Sequence, residues 1–447
     1  MKKSLFAVAA VTAFAGAAQA QSSVTVYGIL DVGFIGGNTT VTTSAPTKGA
    51  QVTTKTTGNQ FGNSAEQTSR LGFKGNEDLG GGTSAFFTAE FQLSPTDTNL
   101  SGNLAGSTTA GSTSVGGLLN RQTFVGLKKN GIGQAAIGTQ YTPVFNAGAV
   151  TDPGQYNNMM GGVIYAFSSG PAANAFDSST GNTVAFTTRL DNSLTFQSEK
   201  FAGFGVSGMY VLNNKNSTQY QVTGSTSANN LSTAGGVSNT NGWGLGVDYA
   251  LNKFYVAGAY QSFTQFTTAI NASATGAQPF NAAGAGLVTL APTNVASSAT
   301  GVATIPVTQG QNVRDNQGYI GATYDFGILK AYAQYVTRQA TATYNNSYFV
   351  KRTAEQLGVR SYITPTIEAW ASAGLGRYTA LGANQPTANF NGWQLGSNYY
   401  LSKRTNLYAI YGATTTSNYA VTNTSGTVTA TNSNSGQNYA IGVRHTF

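Results

Sequence analysis

Cysteine is absent from this chain, and histidine occurs once, as His445. The first absence excludes disulfide staples and thiolate metal sites. The second leaves a serine nucleophile without a base, and no Ser/His/acid arrangement is found. No EF-hand-like spacing of Asp and Glu occurs either. The expectation is therefore no catalytic residue, no metal and no cofactor. Charge is scarce too. Asp, Glu, Lys and Arg together make up 9% of the residues, against roughly 25% in an ordinary soluble protein. So little charge fits a chain whose surface partly faces lipid. Yet no apolar run after residue 20 is long enough for a helical span. The formal net charge is +8, but the Lys and Arg are scattered, and nucleic acid is not expected as a partner.

What is present begins with Lys2 and Lys3, an apolar run from Leu5 to about Ala17, and the small-x-small sequence Ala18-Gln19-Ala20. This reads as a cleaved secretory signal over 1–20 and leaves 21–447 as one domain. Loss of the two lysines takes the net charge from +8 to +6. At the other end, Tyr439, Ile441, Val443, His445 and Phe447 fall on one face of a period-two pattern. Asn438, Ala440, Gly442, Arg444 and Thr446 fall on the other, as in a β-strand. Such a terminal strand is expected where the last strand must pair with the first to close a sheet in a membrane.

Between these ends the sequence repeats a hairpin. Short turn signals recur at 76–82, 129–131, 199–203, 252–253, 326–327, 364–365 and 402–404. They carry Gly, Asn, Pro or charge, as tight turns require. Long segments rich in Ser, Thr, Asn, Gly and Ala alternate with them, at about 37–63, 97–116, 142–182, 214–240, 267–312, 341–350, 380–389 and 419–435. Seven short turns and eight long loops imply about sixteen strands, with short periplasmic turns and long external loops. The fold expected is all-β: a transmembrane, antiparallel barrel of sixteen strands. The strands alternate accordingly. Leu71 and Phe73 oppose Arg70, Gly72 and Lys74; Phe87, Ala89 and Phe91 oppose Phe86, Thr88, Glu90 and Gln92. On a third strand, Leu190, Asn192 and Leu194 oppose Arg189, Asp191 and Ser193. A soluble β-sandwich would alternate too, but the signal segment and the aromatic terminal strand count against it.

The stretches 22–31 (SSVTVYGILD), 69–80 (SRLGFKGNEDLG), 120–127 (NRQTFVGL) and 442–447 (GVRHTF) resemble the general diffusion porins of Gram-negative bacteria, in particular the β-proteobacterial type. The likeness covers essentially the whole mature chain. It implies a homotrimer in the outer membrane, set among lipid and lipopolysaccharide. It also implies a third external loop folded into the lumen as a constriction, and passive diffusion of ions and small hydrophilic solutes. The terminal strand, through Tyr439, Ile441, Val443 and Phe447, would be read by the barrel-assembly machinery.

Charged groups at such a constriction would filter solutes. Arg70 and Lys74, four apart on one strand, face the lumen together, and Arg121 and Arg189 flank the third loop in sequence. On the lipid face, a midplane Arg or Lys costs about 2–4 kcal/mol, which argues for an inward setting. The resemblance makes the arginines a basic cluster. The acidic side is expected from Glu90, from Asp31 and Asp191 on lumen faces, and from Asp152 and Asp177 in the third loop. Related porins often read Gly-Arg-Gln-Tyr-Thr where this chain has Gly138-Thr139-Gln140-Tyr141-Thr142. That missing charge tempers the expected lean toward anions. A non-conducting barrel acting as an adhesin or structural surface protein remains the alternative reading.

Overall fold

A computed structural model describes residues 23–44, 51–97, 100, 119–166, 184–220, 234–269, 311–342, 349–379, 387–422 and 428–447. The expected signal segment and Asp177 lie outside these residues. The strands are β1 (Ser23–Ser44), β2 (Gln51–Asn63), β3 (Arg70–Gly80), β4 (Thr83–Gln92), β5 (Leu119–Lys129), β6 (Gly133–Tyr141), β7 (Arg189–Ser198), β8 (Phe204–Tyr220) and β9 (Ala234–Leu251). They continue as β10 (Phe254–Ala269), β11 (Gln311–Asp325), β12 (Lys330–Ala342), β13 (Phe349–Thr364), β14 (Ile367–Thr379), β15 (Ala388–Tyr400), β16 (Thr405–Thr422) and β17 (Val428–Thr446). One helix, α1 (Pro143–Thr151), follows β6. No described helix is long and apolar enough to cross a membrane.

Each strand from β3 onward pairs antiparallel with the next, and β17 pairs with β1, Asp31 lying opposite Arg444. Both β3 and β2 lie against β1 on its other side, in succession. The two share one stave, so seventeen strands make a sixteen-stave closed barrel. Closure leaves no edge, the condition for a sheet in hydrocarbon. Backbone bonds between Gly28 and Phe447 in both directions finish the seam. The terminal strand thus closes the sheet as its alternation predicts.

Side chains obey the period-two rule with the usual polarity inverted. Val125, Leu127, Ile137, Leu245, Ile320, Leu357, Leu395 and Ile441 are exposed on the outer face. Gln261, Gln317, Gln356 and Asn398 are buried on the inner one. Among the described residues the largest apolar cluster inside lies where the chain after β6 meets the wall: Val144, Tyr156, Val163, Ile164 and Phe186 pack on Tyr319, Val336, Tyr378 and Phe390.

Most segments expected as long loops are shorter than predicted, because strand pairing continues into them; those after β4 and β6 are not shortened. The segment expected as the first loop is mostly the hairpin of β1 and β2. Its Thr-rich arms suit extended backbone, and Thr42 and Thr53 pair directly through their hydroxyls at 3.2 Å.

The break between β2 and β3 turns inward over residues 64–69 and is held by Asp31. Ser64 N donates to Asp31 O at 2.9 Å, and Asp31 N donates to Ser69 Oγ at 3.0 Å, in place of ladder bonds. The Asp31 carboxylate accepts from Glu66 N at 2.8 Å, Gln67 N at 2.7 Å and Tyr408 Oη at 2.6 Å. Asp31 is 0% exposed. The expectation that it lines the pore is therefore corrected: its oxygens are consumed in tying the turn to the wall. Asp31→Asn replaces charged acceptors for two backbone N–H groups. Unfolding of the folded barrel in urea should show about 2 kcal/mol less stability; an unchanged midpoint would remove this role.

Candidate functional site

The chain between β6 and β7 (called the 142–188 segment, and described over 142–166 and 184–188) lies inside the barrel. Thr142 caps α1, its Oγ1 accepting from Phe145 N at 3.3 Å, and Pro143 stands at the first helical position. The helix ends at Asp152, which precedes Pro153 and so disfavours helical backbone. Along its path the segment is held by neutral amides, one from each of several staves. Gln261 Oε1 accepts from Val144 N at 3.3 Å, Gln317 Oε1 from Thr187 N at 2.7 Å, and Gln356 Oε1 from Val163 N at 2.9 Å. Gln394 Nε2 donates to Met159 O at 2.8 Å and Met160 O at 2.7 Å, and Asn438 Oδ1 accepts from Met160 N at 3.0 Å.

On another part of the wall the segment meets the 64–69 turn. Asn158 N donates to Ala65 O at 3.0 Å, and Asn158 Nδ2 to Ser64 O at 2.6 Å. Glycine makes the seat close: a Cβ on Gly412 would lie 1.8 Å from Met160 O.

Two β-bulges set the basic cluster. Val125 and Leu127 face outward, so strict alternation would send Arg121 to the lipid as well. The register between β4 and β5 shifts at Glu90/Phe91, and Arg121 is buried inside. On β7, the register against β6 shifts between Gly138 and Gln140, with Asn192 at φ +50°. Arg189 is buried inside. Leu190, expected on the lipid face, instead packs against Met209, Val211 and Phe263. Asp191 lies exposed in the bulge, accepting from Asn192 Nδ2 at 2.9 Å. It is not among the residues gathered at the site.

Glu90 is inside the cluster rather than across from it, which corrects its expected place on an opposing acidic wall. Arg121 Nε donates to Glu90 Oε1 at 2.8 Å, Arg70 Nη1 lies 3.9 Å from that oxygen, and Tyr27 Oη donates to Oε2 at 3.2 Å. Arg121 Nη2 donates to Tyr141 Oη at 2.8 Å, and the Arg189 guanidinium stands 5.8 Å from the Tyr141 ring centre. Tyr141 stacks on Phe145 of α1 at 4.1 Å. The cluster is thus braced against the crossing segment. Lys74 stays apart, its Nζ 5.4 Å from the Tyr27 ring centre, on the short-turn side of Arg70.

A cavity of about 430 Å³ joins the wall to the segment. Arg70 and Arg121 line one part of it; Asp152, Tyr156, Lys330 and Tyr332 line another. Of the predicted acids among the described residues, Asp152 is the one that lines this cavity with the arginines. It accepts from Tyr156 N and Gln356 Nε2, each at 2.9 Å. Burial pushes its pKa up to about 6, against these hydrogen bonds and the Arg360 charge, which pull it down.

Several inward charges were missed by the sequence reading. Lys330 is one, and three buried or nearly buried pairs are others: Arg338–Asp315 at 2.6 Å, Arg360–Glu368 at 3.0 Å and Arg444–Glu66 at 3.5 Å. Parity could have found those on strands, as Lys330, Tyr332, Gln334 and Arg338 share one face of β12, but not Glu66, which lies in the 64–69 turn. The clustering of three or more His, Cys, Asp or Glu that would hold a metal does not occur among the described residues.

A family model described as Gram-negative porin matches residues 7–419. An outer membrane porin protein of Bordetella pertussis is 32% identical over 238 residues, 52% of this chain and 54% of that protein. Outer membrane porin protein 32 of Delftia acidovorans is 44% identical over 105 residues, 23% of this chain and 25% of that one. The matched stretches thus span about half and a quarter of these relatives' lengths. Among solved structures, an anion-selective porin from Comamonas acidovorans shares the fold at TM-score 0.56 and 18% identity, covering 96% of this chain and 100% of that one. The trimer form of OmpT from Vibrio cholerae does so at TM-score 0.52 and 15% identity, covering 95% and 99%.

Gln394→Leu tests the amide seat, because it leaves the Met159 and Met160 carbonyls without this donor. Hydrogen exchange in a peptide spanning 157–163 should speed up about tenfold. Exchange in the β15–β16 ladder should stay as it was.

Proposed function

The chain belongs to the Gram-negative porin family and to the outer membrane, and from that premise we propose how its channel selects solutes. Ions and small hydrophilic molecules diffuse passively through the lumen. The 142–188 segment, the third long loop, narrows the path and sets the size limit, and the charges around it set ion preference. The observation that carries this reading is the cavity bounded by Arg70 and Arg121 on the wall and Asp152 on the segment.

Three basic groups, Arg70, Arg121 and Lys330, line that cavity with one acid, Asp152. Glu90 is paired within the basic cluster. The excess favours anions, in a space whose low-dielectric walls strengthen the field. Arg189 adds to the cluster from behind Tyr141. Open volume beside these groups weighs against a plugged, purely adhesive barrel. No chemical step is involved, and the channel reading requires neither nucleophile nor cofactor.

The assembly we propose is a homotrimer embedded in lipid and lipopolysaccharide, with the short turns on the periplasmic side. A structural neighbour is described in a trimer form. Tyr439, Ile441 and Phe447, exposed along the outer row of the closing strand, with Val443 on the same row, are the features the assembly machinery would read.

Joint replacement of Arg70, Arg121 and Arg189 by Ala should lower the anion-to-cation permeability ratio by about three- to tenfold. Reversal potentials in a salt gradient measure it, and an unchanged ratio would defeat the charge-filter reading. Acid should act in the opposite direction. As pH falls through about 6, Asp152 takes up a proton and its negative charge is lost. Anion preference should therefore rise between pH 7.5 and pH 5, and Asp152→Asn should abolish that rise.

A further inference from the structure

On the short-turn side of α1 the lumen holds a second cavity, of about 490 Å³. It shares Tyr141, Ala149 and Val150 with the arginine-lined cavity. From there it follows the wall between β4 and β10 down to Ser198 and Lys200, beside the short turn at 199–203. Its character differs from that of the first cavity. Of its lining residues only Lys200 and Asp248 are charged, and they pair with each other at 2.5 Å. Neither sign of charge is left over.

Two phenylalanines break the polar rule of the inner face here. Phe86 on β4 and Phe124 on β5 face inward and stay partly exposed. Their ring centres lie 6.2 Å apart at an interplanar angle of 77°. Neither ring joins the apolar clusters inside the barrel. Gly126 makes room for the first: a Cβ there would stand 2.6 Å from Phe86 Cζ, so the ring settles on the wall with its other side to the lumen. Apolar rings kept against water cost free energy that a ligand covering them recovers. Amides with spare capacity surround the rings. Gln122 on β5 and Asn146 on α1 make no side-chain hydrogen bond among the described residues. Gln134 Nε2 donates to Gln197 Oε1 at 3.3 Å, which leaves the Gln134 carbonyl and the Gln197 amino group open.

We propose that this cavity binds a neutral sugar. A pyranose ring has an apolar C–H face and a rim of hydroxyls that both donate and accept. The face rests on Phe86 and Phe124, and the rim meets Gln122, Gln134, Asn146 and Gln197, whose amides also do both. An anion finds no free cation here, since Lys200 is held by Asp248. A purely apolar solute would cover the amides without bonding them, which is costly. The volume falls in the range of small-ligand sites, about 300–1,000 Å³. The site deepens the channel reading by naming a solute class beside the anions, and rests on that reading for transport but not for binding.

Saturation-transfer NMR on the folded barrel in lauryldimethylamine oxide micelles, titrated with maltose and separately with mannitol, tests this. Maltose offers ring faces, and mannitol offers hydroxyls without them. Weak, saturable maltose binding is expected, about fivefold tighter than mannitol, with the strongest transfer to the ring C–H protons. Phe124→Ala should weaken maltose about fivefold, and Gln122→Ala about threefold. Where Phe124→Ala gives no folded barrel, Phe124→Leu replaces it, keeping apolar bulk without the ring, with a loss of about threefold expected. No saturable maltose signal, mannitol binding as tight as maltose, or undiminished binding by the Phe124 variant would each overturn the proposal. Binding in micelles needs no flux. A protein that conducts but does not bind maltose loses this site alone; one that binds but does not conduct loses the channel reading alone.

Discussion

The rest of the structure depends on the unbroken backbone ladder from β1 around to β17. In hydrocarbon an unpaired N–H or C=O has no water to turn to, and only a closed ring of strands satisfies every stave. The pairing of β17 with β1 extends from Ile29–Thr446 to Ser44–Thr431, which spares the sheet any edge at the seam. With the backbone satisfied, the outer face can be apolar and the inner face is released from the rules of a soluble core. Buried glutamines, ion pairs and an arginine cluster can then sit where a soluble protein would place leucine. The interior apolar contacts act locally, seating one connecting segment on the wall.

That segment and the wall define each other. Neutral side-chain amides from β10, β11, β13, β15 and β17 hold its backbone. Neutral groups thus do most of the seating, and Arg352 joins them at Val163, where its Nη2 donates to the carbonyl. The other inward charges fall into two kinds of arrangement. Arg338 with Asp315 and Arg360 with Glu368 largely cancel each other along the inner face. Arg70, Arg121 and Arg189 gather with one carboxylate, Glu90, and so retain net positive charge beside the opening. Buried like charges brought together cost stability; the aromatic and carboxylate neighbours around Tyr141 and Glu90 offset part of that cost.

Much of the architecture was legible in the residues because a barrel writes its face rule at every second position. The short turns, the stave number, the closing strand and the inward setting of Arg70 and Glu90 all follow from that rule. Its failures came where the rule is interrupted. Bulges at Arg121 and at Asp191–Asn192 reverse the parity, and single-strand alternation carries no sign of a bulge. Asp31 is inward as expected, but its partners Glu66, Gln67 and Tyr408 are distant in sequence. Nothing local reveals that its oxygens are already taken. The amide seat was legible in part, since Gln261, Gln317, Gln356 and Gln394 occupy inner positions, but their shared target could not be seen without the path of the 142–188 segment.

Current through the protein in a planar bilayer, recorded under a salt gradient, tests the central claim most directly. Stable, ohmic open steps are predicted, with a reversal potential whose sign shows anions passing more readily than cations. Folded protein that inserts without conducting, or a reversal potential of cation sign, would contradict a water-filled path controlled by the arginine cluster.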